Sequence, residues 1–225
     1  MPAGPAGQGT AAPLLIACAL GIERLALRGG GRAAAPAPVP VTVVRTGMGP
    51  RAADRAVTRA LDAGGAAEAT AVIATGFCAG LARGMHPGDL VVADETRGPD
   101  GRTRCTGGDV LTAALAELVR GHPRRTVHTG PVAGSDHVVR GAERAALRAT
   151  GAIAVDMESA ATLRAAVRAG PRPVAAVRVV VDAPEHELLR IGTVRGGISA
   201  FRVLRAVLPA FYEWHRSEAA PQEVS

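Results

Sequence analysis

Two carboxylates separated by one residue, in Val155-Asp156-Met157-Glu158-Ser159, and a third at Asp182, four residues beyond Arg178, are the side chains here best suited to moving protons or holding hydroxyl groups. Arg178 lies within the aliphatic run 174–181. If that run is a buried strand, its guanidinium needs acidic partners, because an unpaired buried charge is costly. A further segment, Ala71-Val72-Ile73-Ala74-Thr75-Gly76-Phe77-Cys78-Ala79-Gly80-Leu81, reads as a strand entering a Gly-rich turn. Such a turn brings backbone N–H groups close to a ligand. It is followed by Pro87-Gly88-Asp89-Leu90-Val91-Val92, a second strand entered through Gly-Asp.

Each group also has a plainer reading. Asp156 and Glu158 could open a helix, where carboxylates complement the dipole. Asp182, ahead of Ala183-Pro184, could form a turn, and Glu23 could be a solvated helix residue. Gly76-Phe77-Cys78-Ala79-Gly80 also fits a nucleophile elbow with Cys78 as nucleophile and Glu185-His186-Glu187 as its base and orienter.

The elements that would position these groups alternate along the chain. Short β-branched or aliphatic runs at 14–20, 39–45, 69–75, 90–93, 126–132, 153–155 and 174–181, bounded by Gly or Pro, predict buried strands. Helical patterns fall at 50–63, at 110–120 with Asp109 as cap, at 142–150, at 157–169 and at 198–214. The alternation predicts an α/β fold, a three-layer α/β/α arrangement around a central mixed, largely parallel sheet. Residues 13–215 read as a single domain between disordered tails at 1–12 and 216–225, with 29–38 as a loop.

Composition narrows the function. Hydrophobic residues make up 48% of the 225 and aromatics 2%, so the core must be built from Val, Leu, Ile and Ala. The net charge of +6 would suggest nucleic acid, but the arginines are scattered, no aromatics are interleaved for stacking, and Lys and Asn are absent, as in a GC-rich coding sequence. No nucleic-acid partner is expected. Three widely spaced cysteines and the lack of His-x-His or His-Glu-x-x-His patterns predict no disulfide framework and no metal. The cysteine usage points to a cytoplasmic protein. Leu15-Ile16-Ala17-Cys18 resembles a lipoprotein box, but neither a basic nor an apolar stretch precedes it, and no run is long enough to span a membrane.

Taken in order, the motifs resemble those of the nucleoside phosphorylase and nucleosidase superfamily. Besides the segments above, Cys18-Ala19-Leu20-Gly21-Ile22-Glu23 is similar to the family's Gly-Ala-Met-x-x-Glu, and Thr46-Gly47-Met48-Gly49 to its Ser-Gly-Ile-Gly turn. Val155 to Ala161 resembles the sugar-binding Val-Glu-Met-Glu-x-x-Ala, and Arg178 to Asp182 resembles Arg-x-x-Ser-Asp. The resemblance covers about residues 14–215 and implies cleavage of an N-glycosidic bond without a cofactor. It casts Asp182 as the acid that protonates a purine at N7, Glu158 as the ribose-hydroxyl acceptor, Glu23 as the base that activates water, and Arg178 as orienter of the nucleophile or acidic cluster. Met157, Asp156, Gly76, Phe77, Cys78 and Val138 complete the implied substrate site.

Departures from the pattern refine the expectation. Phosphorylases of the superfamily carry an Arg two residues before the Gly and a Ser after it, where this chain has Ala74 and Phe77. Hydrolysis is therefore expected, although Arg24, Arg28, Arg32 and Arg51 leave phosphorolysis open. Val181 replaces the Ser before the Asp, and the Gly-Phe-Cys-Ala-Gly and Val-Asp-Met-Glu-Ser-Ala-Ala forms look most like the hopanoid-associated phosphorylase branch. That likeness implies a lipophilic 5′-substituted adenosine, with methylthioadenosine or adenosylhomocysteine as the alternative. Leu188, Leu189, Ile191, Phe201 and 211–214 are candidates for an aliphatic channel. The resemblance also implies a homodimer whose neighbouring subunit helps close the pocket.

Overall fold

The computed structural model describes residues 12–30, 39–63, 70–122, 124–183 and 193–219. Parallel strands β1 (Leu14–Cys18) and β2 (Val41–Arg45) flank one edge of an eight-stranded sheet that continues through β3 (Ala71–Gly80), β7 (Ala154–Asp156), β6 (Val127–Gly134), β4 (Leu90–Gly98) and β5 (Gly101–Arg104). The last strand, β8 (Val174–Asp182), bridges β3 and β4. The pairings β3–β8, β8–β4, β4–β6, β6–β7 and β7–β3 thus close a ring within the sheet. Five of the eight strand pairings are parallel, the mixed, largely parallel sheet expected from the sequence.

Strand periodicity sends alternate residues to two cores. Ile16, Ile73, Val92 and Val177 face one side, with α1 (Gly21–Gly30), α3 (Gly108–Val119), α6 (Thr193–Ala206) and α7 (Leu208–Ala219) over them. Ala17, Val72, Val91 and Ala176 face the other, covered by α2 (Pro50–Ala63) and α5 (Ser159–Arg168). Helices therefore lie on both faces, and α4 (Gly141–Ala149) stands beside the end of β3.

The sequence expectation fails in five places. The presumed turn at 76–80 is strand, because Gly76–Gly80 stays paired with β8 and β7. Pro99-Asp100 turns β4 back into the polar strand β5, which carries no apolar alternation. The long closing helix is two helices, interrupted at Val207, because Pro209 has no N–H to continue a ladder from α6 into α7. That second helix runs to Ala219, so 216–219 are helical rather than tail. Asp109 makes no side-chain cap for α3.

Candidate active site

The site forms where the sheet's strands give way to loops at their carboxyl ends, the usual place for ligands in α/β folds. Glu23 is 2% exposed and sits in the first turn of α1. The N–H groups of Ala19 and Leu20 both donate to its Oε2 at 2.8 Å, and Phe77 N–H donates to Oε1 at 2.9 Å. Three backbone donors thus fix the carboxylate, which has room for about one more of its roughly four acceptor positions.

Gly76 explains the Gly-rich segment differently from the sequence reading. A Cβ there would stand 2.6 Å from Glu23 Oε1 and 2.8 Å from Arg178 Nη1, and its φ of +135° favours glycine. The residue is small because the acid and the guanidinium both occupy the space that a side chain would take. Register brings them there, since Gly76 pairs with Arg178 across β3 and β8.

Arg178 is 1% exposed and finds the acidic partners that its burial demands. It ion-pairs with Asp156, donates Nε–H to Ser159 Oγ at 2.7 Å and donates Nη1–H to Thr75 O at 2.9 Å. Burial works against its charge, but Asp156, Glu158 and Glu23 outweigh that and push the guanidinium pKa up.

The two neighbouring carboxylates of the 155–159 segment divide their duties. Asp156 Oδ1 accepts from the N–H groups of Glu158 and Ser159 at the start of α5, and its Oδ2 accepts from Ser159 Oγ. Asp156 is therefore both helix cap and counter-ion of Arg178. Glu158 turns away from the helix and accepts from Gly49 N–H at 2.8 Å, in the turn after β2 where Gly47 and Gly49 have φ of +81° and +88°. Burial pushes the Glu158 carboxyl above the usual range, against the opposing pull of Arg178.

Asp182 ends β8, where the pairing with β3 slips so that Cys78 faces Val180 but Ala79 faces Asp182. This bulge lets the consecutive residues Val181 and Asp182 both line one pocket, which a regular strand would not allow. Arg144 of α4 donates to Asp182 Oδ2 at 2.9 Å. Asp182 Oδ1 is buried and has no hydrogen-bond partner among the described residues.

That pocket, about 270 Å3, is lined by Glu23, Asp156, Met157, Glu158, Phe77, Cys78, Val138 and Asp182, together with Ala19, Leu20, Met48 and His137. Of the catalytic and substrate-binding residues that the resemblance implies, Gly76 and Arg178 are not in its wall, and they lie directly behind Glu23. Met48, His137 and Met157 also border a larger open cleft of about 1170 Å3 between α2, the β4–β5 turn and α5. Arg144 was not legible in the sequence: it is one of two arginines in an alanine-rich helix, and nothing in its spacing separates it from a solvated residue. His137, next to the predicted Val138, was missed for the same lack of pattern.

The inner pocket has no arginine among the described residues that line it. Ala74 is packed into the core, Arg28 and Arg51 are exposed, and Arg24 lines neither cavity. Arg32 lies outside the described residues. Cys78 is 3% exposed and burial pushes its thiol far up, against the thiolate that a cysteine nucleophile requires. The Glu185-His186-Glu187 partners of that reading lie outside the described residues, as do Leu188, Leu189 and Ile191. Phe211 and Trp214 are fully buried in the core and Phe201 packs against it, so these three do not form a substrate channel. Among the described residues no cluster of three or more His, Cys, Asp or Glu side chains could hold a metal, and no helix is long and apolar enough to cross a membrane.

A protein-family model described as the phosphorylase superfamily matches residues 35–208. The chain belongs to the phosphorylase superfamily. Solved structures of the same fold include the 5′-methylthioadenosine/S-adenosylhomocysteine nucleosidase of Neisseria meningitidis in complex with methylthio-immucillin-A, at TM-score 0.72 and 20% identity over 91% of this chain and 99% of that one. The S-adenosylhomocysteine nucleosidase of Streptococcus pyogenes in complex with 5-methylthiotubericidin aligns at TM-score 0.71 and 22% identity, over 92% and 98% of the two chains. The nucleosidase of Colwellia psychrerythraea in complex with adenine aligns at TM-score 0.70 and 17% identity, over 92% and 96%. No curated protein sequence matches the chain.

Proposed function

We propose that this superfamily member hydrolyses the N-glycosidic bond of a 5′-substituted adenosine and releases adenine. The observation that carries the reading is the convergence of Glu23, Glu158 and Asp182 on one pocket, with Arg178 behind it holding the acidic cluster. An N-riboside breaks through an oxocarbenium-like state, so the site must lend negative charge to the sugar and a proton to the base. Glu158 accepts from the ribose hydroxyls and lies beside the developing cation. Asp182, through its unpaired oxygen, delivers a proton to purine N7 as the bond to C1′ breaks and its electrons pass to the base. Glu23 takes the proton of the water whose oxygen bonds to C1′, using the acceptor position its three backbone donors leave. Asp156 acts at one remove, through Arg178 and the start of α5.

Hydrolysis is favoured over phosphorolysis because the pocket wall offers a phosphate dianion no arginine among its described residues. The 5′ substituent leaves past Met48, His137 and Met157, and Met48 and Val138 are 69% and 66% exposed, apolar surface suited to a lipophilic, hopane-like group. The outer cleft favours a second, smaller choice, since Arg51, Arg55, Asp100 and Arg164 make much of its wall charged. A methylthio or homocysteinyl group needs no long apolar channel. We also propose a homodimer in which the second subunit covers this cleft. The test is adenine release from methylthioadenosine, adenosylhomocysteine and adenosylhopane, each with and without phosphate. Turnover independent of phosphate is expected, and no release from any of the three would overturn the reading.

A further inference from the structure

Helix α4 buries one side chain, Arg144, and half-buries Leu147, while its other residues are exposed. An arginine is a poor choice for that single contact if only packing matters. Burying a guanidinium costs several kcal/mol (roughly, after relaxation), and an apolar residue of similar volume is often as stable or more so. The cost here is visible, because Arg144 Nε is buried without a partner among the described residues. What the arginine gains is two contacts on adjacent strand ends: Nη1–H donates to Asp182 Oδ2 and Nη2–H to Gly80 O, both at 2.9 Å.

We propose that Arg144 is a positioning residue that sets the direction in which Asp182 addresses the purine. Resting on the nucleosidase reading above, the inference adds what aims its acid. A carboxylate on a strand end can rotate about two side-chain bonds, and the bulge at Val181 leaves that end irregular. Arg144 fixes one oxygen against the carbonyl that ends β3. The other oxygen, Oδ1, is then held buried, without a protein partner among the described residues, on a residue that lines the pocket. A planar guanidinium with two parallel donors can hold both acceptors at once, which a lysine ammonium does less rigidly.

The test is equilibrium binding by full-length wild type, Arg144→Gln, Arg144→Lys, Asp182→Asn and the Arg144→Gln/Asp182→Asn double variant, with melting temperatures recorded for each. Two probes carry the same 5′-methylthio group. One is a 9-deazaadenine C-nucleoside, whose N7–H donates to a carboxylate. The other is a 7-deazaadenine nucleoside, which has a C–H there. Asp182→Asn should weaken the first probe by about tenfold to a hundredfold, as expected for a hydrogen bond to a charged group, and leave the second nearly unchanged. Arg144→Gln should reproduce that selective loss, Arg144→Lys should restore part of it, and the double variant should lose no more than Asp182→Asn alone. Equal weakening of both probes by Arg144→Gln, no weakening, or a further loss in the double variant would overturn the positioning role. If wild type binds neither probe, or Asp182→Asn loses no selectivity, the nucleosidase reading itself fails and the inference falls with it.

Discussion

Asp89 and Asp182 are both carboxylates set at strand ends of the same ring, yet their hydrogen bonding differs in one respect. Asp89, 1% exposed at the entry to β4, uses both oxygens: Oδ1 accepts from Thr126 N–H, and Oδ2 accepts from His86 N–H and pairs with His128 Nε2. Asp182 uses one oxygen, on Arg144, and keeps the other buried and unpaired among the described residues. A buried acceptor left without a donor costs about 1–3 kcal/mol, so a fold that needed Asp182 only for stability would gain by pairing it. Asp89, with both oxygens filled, ties β4 to the start of β6, whereas the unfilled oxygen of Asp182 suits the ligand role proposed for it.

The comparison can be broken most severely at the pocket. Asp182→Asn and Glu158→Gln should each lower kcat/KM for adenine release by about a hundredfold or more, in the range of a lost general acid or a lost transition-state contact. Initial rates measured with the substrate that wild type turns over would check this. A smaller loss is expected from Gly76→Ala. Its added methyl must displace Glu23 or Arg178, an overpacking worth about 1–3 kcal/mol, and both the urea midpoint and kcat should fall. Asp89→Asn should cost stability of similar size, about 1–3 kcal/mol, but leave kcat/KM at wild-type level.

Acid titration sharpens the same contrast. Burial opposes the Asp89 charge, but the hydrogen bonds from His128 and from the His86 and Thr126 backbone prevail and hold its pKa below the usual carboxylate value. Its contribution to stability is therefore present above the unfolded value of about 3.9 and is lost as pH falls through the lower folded value. Chemical denaturation from pH 6 downward should show this loss in wild type and a shallower one in Asp89→Asn. The smallest effect belongs to Cys78→Ala, which should keep activity within about twofold, since a buried free cysteine behaves as a small apolar side chain. Loss of all turnover in that variant would instead revive a cysteine nucleophile.

How much of this was legible in the sequence depended on the kind of signal. Aliphatic strands and the order of the acidic segments stand out because buried strands must be apolar and because Asp156-Met157-Glu158 has no place inside an ordinary core. The pairing of Arg178 with an acid followed from the cost of burying a guanidinium. Strand β5 was not legible because Gly101-Arg102-Thr103-Arg104 is polar on both faces, and the break between α6 and α7 was masked by a continuous apolar pattern around Pro209. The division of labour between Asp156 and Glu158, and the arrival of Arg144 from α4, depend on tertiary placement that no local spacing encodes. The bulge at Val181, which turns Asp182 into the pocket, is likewise a matter of register between distant strands.

The most direct measurement sets the two carboxylates against each other: kcat/KM for adenine release and the melting temperature, recorded side by side for wild type, Asp182→Asn and Asp89→Asn. The account predicts that Asp182→Asn loses about a hundredfold or more in kcat/KM whatever its melting temperature, whereas Asp89→Asn stays active and melts lower. An active Asp182→Asn enzyme would contradict it.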